Sequence, residues 1–206
     1  MTRTARIATT SDIPSAAELL TAAFLDYPFT RHTIDADEHP RRLGASQALL
    51  LREVGVPHGL VHVVDGAGAG GGLDAVTVWM PPEATGLDDA FARVAPRLAE
   101  LAGDRAGAAA AADTALVPHR PAGPAWCLAT VAVRPGLQGQ GLGTTVLTAG
   151  LDRVDRDGRQ AHLETSLASN VRLYTRLGFR ITAEVDLPHG GPRTWSMLRP
   201  ATTSGP

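Results

Sequence analysis

The sequence predicts an α/β fold: one domain, residues 1–206, built on a mixed, partly parallel central sheet flanked by helices. Two observations predict it. The C-terminal half alternates strand and helix patterns without an internal repeat or long linker. Hydrophobic residues make up 44% of the chain and charged residues 19%, which fits a globular protein with a substantial core rather than a disordered one.

The elements follow in order. Residues 5–8 read as a short first strand. Asp12 is placed to cap a helix with Pro14 in its first turn, where a missing N–H costs nothing, and Ala16, Leu19, Leu20, Ala23 and Phe24 follow helical spacing. Proline restricts the residue before it, so the helix is expected to end ahead of Pro28, leaving Asp26-Tyr27-Pro28-Phe29 as a loop. A second helix is expected over 40–53. Val-rich patterns at 59–65 and 74–80 read as neighbouring strands joined by a flexible hairpin loop at Gly66 to Gly72. That loop contains a formal G-x-G-x-x-G. A dinucleotide site needs a helix straight after it, and here a strand pattern follows. Helices are expected over 87–103 and 105–117, the second only weakly periodic with a partial loop as its alternative, then an extended, Pro-rich stretch over 118–124. The remainder reads strand 125–133, Gly-rich turn, helix 143–156, strand 161–165, helix 170–177 and strands 180–185 and 193–198.

Charge narrows the function. Nineteen Lys and Arg stand against 21 Asp and Glu, and no basic run marks a nucleic-acid surface. The first 13 residues lack an apolar signal core, and no stretch of 18 apolar residues occurs, so a cytoplasmic protein with no membrane partner is expected. Cys127 stands alone, which excludes an internal disulfide and a cysteine-based metal cluster; it reads as a buried strand residue. The seven histidines form no H-x-x-x-H pattern with acidic support, so no metal is expected. Oligomeric state is not legible.

The segment with most chemistry is Arg134-Pro135-Gly136-Leu137-Gln138-Gly139-Gln140-Gly141-Leu142-Gly143-Thr144, between a strand and a helix. A helix N-terminus offers unpaired N–H donors and a positive dipole end, and glycines let a pyrophosphate approach them. Gly136 and Gly141 have P-loop spacing, but Leu142 occupies the position of the lysine that motif needs, so nucleoside triphosphate hydrolysis is disfavoured.

Gln138-x-x-Gly141-x-Gly143 resembles motif A of the GNAT acetyltransferases, and Asn170-x-x-x-Tyr174-x-x-Leu177-Gly178-Phe179 resembles their motif B. The resemblance implies the GNAT fold, acetyl-CoA as cosubstrate and transfer of acetyl to an amine. Gln138, Gly139, Gln140, Gly141, Leu142, Gly143 and Thr144 would then hold the cofactor pyrophosphate, and the strand end Val131, Ala132 and Val133 the pantetheine arm. Within the superfamily the chain is similar to the puromycin N-acetyltransferases. That similarity rests on 26–33, Pro118-His119-Arg120-Pro121, Pro124-Ala125-Trp126, 128–131, Leu163-Glu164-Thr165-Ser166 and 191–195. It implies a small aminoacyl-nucleoside substrate and antibiotic resistance; the alternatives are a GNAT acetyltransferase acting on another small-molecule or peptide amine, or a non-catalytic acyl-CoA-binding module. Cys127, the long Gly66 to Gly72 loop and 167–171 depart from that pattern.

Acetyl transfer needs a neutral amine, donors for the oxyanion and a proton for the departing thiolate. Tyr174 is the candidate general acid, a phenol being protonated at neutral pH; a core tyrosine is the competing reading. Asn170, one turn earlier on the same face, either contacts the cofactor or caps the helix. Glu164 is the candidate base, directly or through water, against a surface carboxylate. Tyr27, Phe29, His32 and Trp126 are candidates for an aromatic wall around the substrate, with Arg31 beside them or in a surface ion pair. His119 reads as solvated, and Cys127 needs no catalytic role.

Overall fold

Val-rich segments supply the centre of the sheet. In a computed structural model, which describes residues 3–67 and 71–202, the strands β1 (Arg6–Ile7), β2 (Leu60–Asp65), β3 (Leu73–Met80), β4 (Ala125–Val133), β5 (Gln160–Thr165), β6 (Arg180–Asp186) and β7 (Arg193–Arg199) form one sheet in the order β1-β2-β3-β4-β5-β7-β6. β4 and β5 run parallel, and every other neighbouring pair is antiparallel. The parallel pair follows from the crossover helix between them, which carries the chain back to the starting end. Residues 68–70, the middle of the expected Gly66 to Gly72 loop, lie outside the described residues; the two ends of the loop meet through the Gly66 amide on the Gly72 carbonyl, 2.8 Å.

Among the described residues eight α-helices dress the sheet: α1 (Ile13–Phe24), α2 (Pro28–Thr33), α3 (His39–Leu50), α4 (Val56–His58), α5 (Leu87–Ala102), α6 (Ala106–Leu116), α7 (Leu142–Arg156) and α8 (Ala168–Arg176). One face of the sheet buries Val76, Val78, Met80 and Ala132 against Leu20, Leu51, Val54 and Val94 from the α1, α3 and α5 side. The other buries Trp79, Trp126, Leu128 and Leu163 under Leu147, Leu151 and Val154 of α7 and Tyr174 of α8. Each such large side chain contributes about 1.5–3 kcal/mol on burial, so the two slabs dominate stability. Helix α7 lies unusually close to β3 because Gly150 has no side chain: a β-carbon there would stand 2.0 Å from Trp79 Nε1.

Two expectations needed correction. The stretch Asp26-Tyr27-Pro28-Phe29 is not all loop, because Pro28 opens α2 as its first residue, where the missing N–H is harmless. Tyr27 takes the extended conformation that a following proline demands (φ −69°, ψ 129°), and Thr30 Oγ1 donates to the carbonyls of Phe24 (2.6 Å) and Tyr27 (2.9 Å), clamping the junction. The helix expected over 40–53 ends at Leu50 and passes into one π-helical turn, Leu51–Gly55. Among the described residues no helix is long and apolar enough to cross a membrane.

Candidate active site

The site begins where two parallel strands part. β4 pairs with β5 only through Ala125, Trp126 and Cys127 against Gln160, Ala161 and His162. Immediately beyond, the β3–β4 register slips between Val78 and Trp79, so that Leu128 and Thr130 are paired and Ala129 is the extra residue of a bulge. A bulge bends and twists its strand. β4 then follows β3 as far as Val133 while β5 follows β7, leaving a wedge between Val131, Ala132 and Val133 on one side and Leu163 to Thr165 on the other. Backbone groups along that edge of β4 have no strand partner, which suits them to hydrogen-bond an extended, amide-bearing chain.

At the open end of the wedge lies the glycine turn. Gly136, Gly139 and Gly141 have φ of 86°, 78° and 82°, a left-handed conformation in which glycine is the residue without strain. A β-carbon at any of the three would meet nothing within 4 Å, so space above the turn is open. α7 begins at Leu142, and its first backbone bond runs from the Thr145 amide to the Gly141 carbonyl, 2.9 Å. The amides of Leu142, Gly143 and Thr144 therefore point out unpaired from the positive end of a 15-residue helix. Gln138 closes the turn from within: its Oε1 accepts the Gly136 amide at 2.8 Å and its Nε2 reaches the Val133 carbonyl at 3.5 Å. Gln140 is exposed, while Leu142 is buried with Val146 and anchors the helix start. Arg134 ties the base of the turn to Asp74 of β3, Nε to Oδ1 at 2.8 Å.

Helix α8 brings Tyr174 to the wedge. Its ring is buried, 5.9 Å from Phe179 in an edge contact, and burial with the neighbouring Tyr27 pushes its pKa above the ordinary phenol value. Asn170 does not cap the helix; Leu167 does. The Asn170 amide nitrogen instead donates to Thr165 Oγ1 at 3.2 Å. Tyr27 completes the cluster: its phenol oxygen accepts the Ser166 amide at 2.7 Å and shares a hydrogen bond with Thr165 Oγ1 at 3.1 Å. Thr165, Ser166 and Thr194, which bonds Ser166 Oγ at 2.7 Å, were given no individual role from sequence. Their signal was membership of the segments 163–166 and 191–195.

Glu164 projects to the other face of β5, as strand alternation requires after Leu163 in the α7-side core. It is not a free surface carboxylate. Arg120 Nε donates to its Oε1 at 2.9 Å and Nη2 to its Oε2 at 3.3 Å. Burial opposes charge on that guanidinium, but its bonds to Glu164 and Asp113 outweigh this and raise its pKa. Cys127, half-buried on the same face, has its thiol pushed up to about 12 by burial and by Glu164, so it is protonated and a poor nucleophile.

The four residues expected to form an aromatic wall, and Arg31 beside them, are not gathered. Tyr27 stands at the wedge. Trp126 is buried in the α7-side core because its strand register turns it that way. Phe29 packs on Ala112, Leu116 and Leu187. His32 is buried beside Gly191, where a β-carbon would come within 2.6 Å of its Nε2, and burial lowers its pKa. Arg31 is exposed on α2.

Residues 81–179, which contain β4, the glycine turn, α7, β5 and α8, match the family model of the acetyltransferase (GNAT) family. Among solved structures, the chain is 25% identical to one of histone acetyltransferase HPA2 and related acetyltransferase from Corynebacterium glutamicum, covering 100% of both chains with a TM-score of 0.77. It is 18% identical to the ribosomal-protein-S18-alanine N-acetyltransferase of Escherichia coli, covering 99% and 97% with a TM-score of 0.58. It is 19% identical to the Salmonella typhimurium protein yncA, solved with its cofactor acetyl-CoA, covering 100% and 98% with a TM-score of 0.54.

Proposed function

We infer that this chain, which has the GNAT fold and that family's signature across its second half, is an N-acetyltransferase that moves acetyl from acetyl-CoA to the α-amine of a small aminoacyl-nucleoside of the puromycin type. The observation that carries the reading is the β4–β5 wedge, with a phosphate-ready helix start at its mouth and a phenol and a carboxylate on its two sides.

In this reading the amides of Leu142, Gly143 and Thr144 hold the pyrophosphate and the free edge of Val131, Ala132 and Val133 holds the pantetheine arm. The neutral amine attacks the thioester carbonyl; the C–N bond forms, and the collapsing tetrahedral intermediate breaks the C–S bond. The amine proton passes to Glu164 through water, and the CoA thiolate takes the Tyr174 proton. Water then returns Tyr174 and Glu164 to their starting states. Tyr27, held by Ser166 and Thr165, stands where the acceptor enters.

Energetics favour an α-amine. With a pKa near 8 it is roughly a tenth neutral at pH 7, a deficit of about 1.4 kcal/mol. A lysine ε-amine, pKa about 10.4, would need about 4.6 kcal/mol, more than a carboxylate already held by Arg120 readily supplies. The substrate assignment is supported by the segments 118–121, 163–166 and 191–195, which surround Glu164 and Thr194 rather than the glycine turn. Acetylation would neutralise the amine and so protect against the antibiotic.

A thiol-release assay with acetyl-CoA tests this, comparing puromycin, a short peptide with a free α-amine and an Nα-blocked lysine. Puromycin is expected to release CoA fastest. Release with the peptide or the lysine alone would keep the acetyltransferase and discard the aminonucleoside.

A further inference from the structure

The Pro-rich segment between α6 and β4 takes no chemical step in the mechanism above, yet it delivers Arg120 onto Glu164. We propose that Arg120 is a positioning residue for acetyl transfer: it fixes the Glu164 carboxylate on the acceptor side of β5, with Asp113 as its second anchor. The inference rests on Glu164 acting as the base.

The geometry is specific. Arg120 follows a short 3-10 turn, Val117–His119, and takes an extended conformation (φ −75°, ψ 151°) that aims its side chain at β5. The guanidinium meets Glu164 with two nitrogens, Nε at 2.9 Å and Nη2 at 3.3 Å, and Nη2 also reaches Asp113 Oδ1 of α6 at 2.8 Å. A planar fork held at both ends cannot swing without breaking several bonds, so it orients the carboxylate as a lysine could not. Asp113 is largely exposed whereas the Glu164 side chain is 22% exposed, so the constraint falls where solvent competes least. Beside the pair lies a cavity of about 110 Å³, lined by His119, Arg120, His162, Glu164, Ser196 and Leu198. It has room for several waters, the relay a carboxylate needs when it takes a proton it does not touch.

A salt bridge that merely fastened the 117–124 segment to the sheet would look similar, and the test separates the two. Arg120→Ala, Arg120→Lys, Glu164→Gln and the Arg120→Ala/Glu164→Gln double variant are compared in full kinetics with acetyl-CoA and the best acceptor of the panel above. Arg120→Ala is expected to lower kcat/KM for the amine on the order of 10²-fold, the cost of a misplaced reacting group, with KM for acetyl-CoA within about twofold. Arg120→Lys recovers little, and ethylguanidinium added to Arg120→Ala restores much of the loss. The double variant is no slower than Glu164→Gln, because Arg120 acts only through that carboxylate. A normal Arg120→Ala beside an impaired Glu164→Gln overturns the positioning role alone. So does an Arg120→Ala loss that guanidinium leaves unchanged and that adds fully to Glu164→Gln. Full turnover by Glu164→Gln removes the base and this inference together, leaving the fold and the cofactor reading intact.

Discussion

Glu164 and Tyr174 stand on opposite sides of β5: Tyr174 packs with Leu163 beneath α7 and α8, and Glu164, the next residue along the strand, turns to the face where Arg120 meets it. In the proposed mechanism the strand therefore separates the proton donor from the proton acceptor. Each keeps its own surroundings, the phenol in an apolar slab and the carboxylate against a cation, and neither neutralises the other. In the proposed transfer the phenol would serve the leaving sulfur of the acetyl thioester and the carboxylate the incoming amine.

Tyr174→Phe is expected to lower kcat by about 10²- to 10⁴-fold, the usual worth of a positioned acid, while acetyl-CoA binding measured by calorimetry stays near wild type. The pH profile carries a second check. Burial raises the pKa of this phenol above its ordinary value near 10, so the acid form persists to higher pH than a free tyrosine allows. The wild-type kcat should then show no alkaline fall from this group below about pH 10.

Gly139→Asp tests the phosphate reading without disturbing the fold. Gly139 has φ 78° and nothing within 4 Å of a β-carbon, and aspartate tolerates the left-handed conformation better than most residues. A carboxylate above the amides of α7 repels pyrophosphate, so KM for acetyl-CoA should rise at least tenfold, roughly 1.4 kcal/mol, with little change in melting temperature. An unchanged KM would move the phosphates elsewhere.

Gly150→Ala tests the packing of α7 on the sheet. The new methyl would stand 2.0 Å from Trp79 Nε1, and Trp79 is fully buried. Overpacking of this kind costs about 1–3 kcal/mol or more, so thermal denaturation should show a drop of several degrees. Pairing it with Trp79→Leu should recover part of the loss.

Cys127→Ser should leave turnover within about twofold, and wild-type enzyme should react slowly with thiol reagents at pH 8. The thiol is raised to about 12, so it stays protonated at and well above that pH. Fast, inactivating modification would contradict the reading of Cys127 as a packing residue.

The glycine turn, α7, β5 and the tyrosine helix were legible because each carries a local signal: spacing, apolar period or a glycine that only one conformation explains. What was not legible depends on partners far along the chain. Arg120 and Glu164 are 44 residues apart, and Tyr27 meets Ser166 across 139. Which residue of β4 becomes the bulge is decided against β3, so Ala129 looked like any other strand residue. Trp126 follows the same rule: strand register, not sequence proximity, turned it into the core and away from Tyr27. At Pro28 two proline rules competed, and the one that favours a helix start prevailed once Thr30 supplied the clamp.

The most direct measurement is mass spectrometry of puromycin after incubation with the protein and carbonyl-labelled acetyl-CoA. One labelled acetyl is expected on the α-amine, formed together with free CoA and nearly abolished in Tyr174→Phe. Unmodified puromycin with acetyl-CoA intact would contradict it, as would label found on any atom other than that nitrogen.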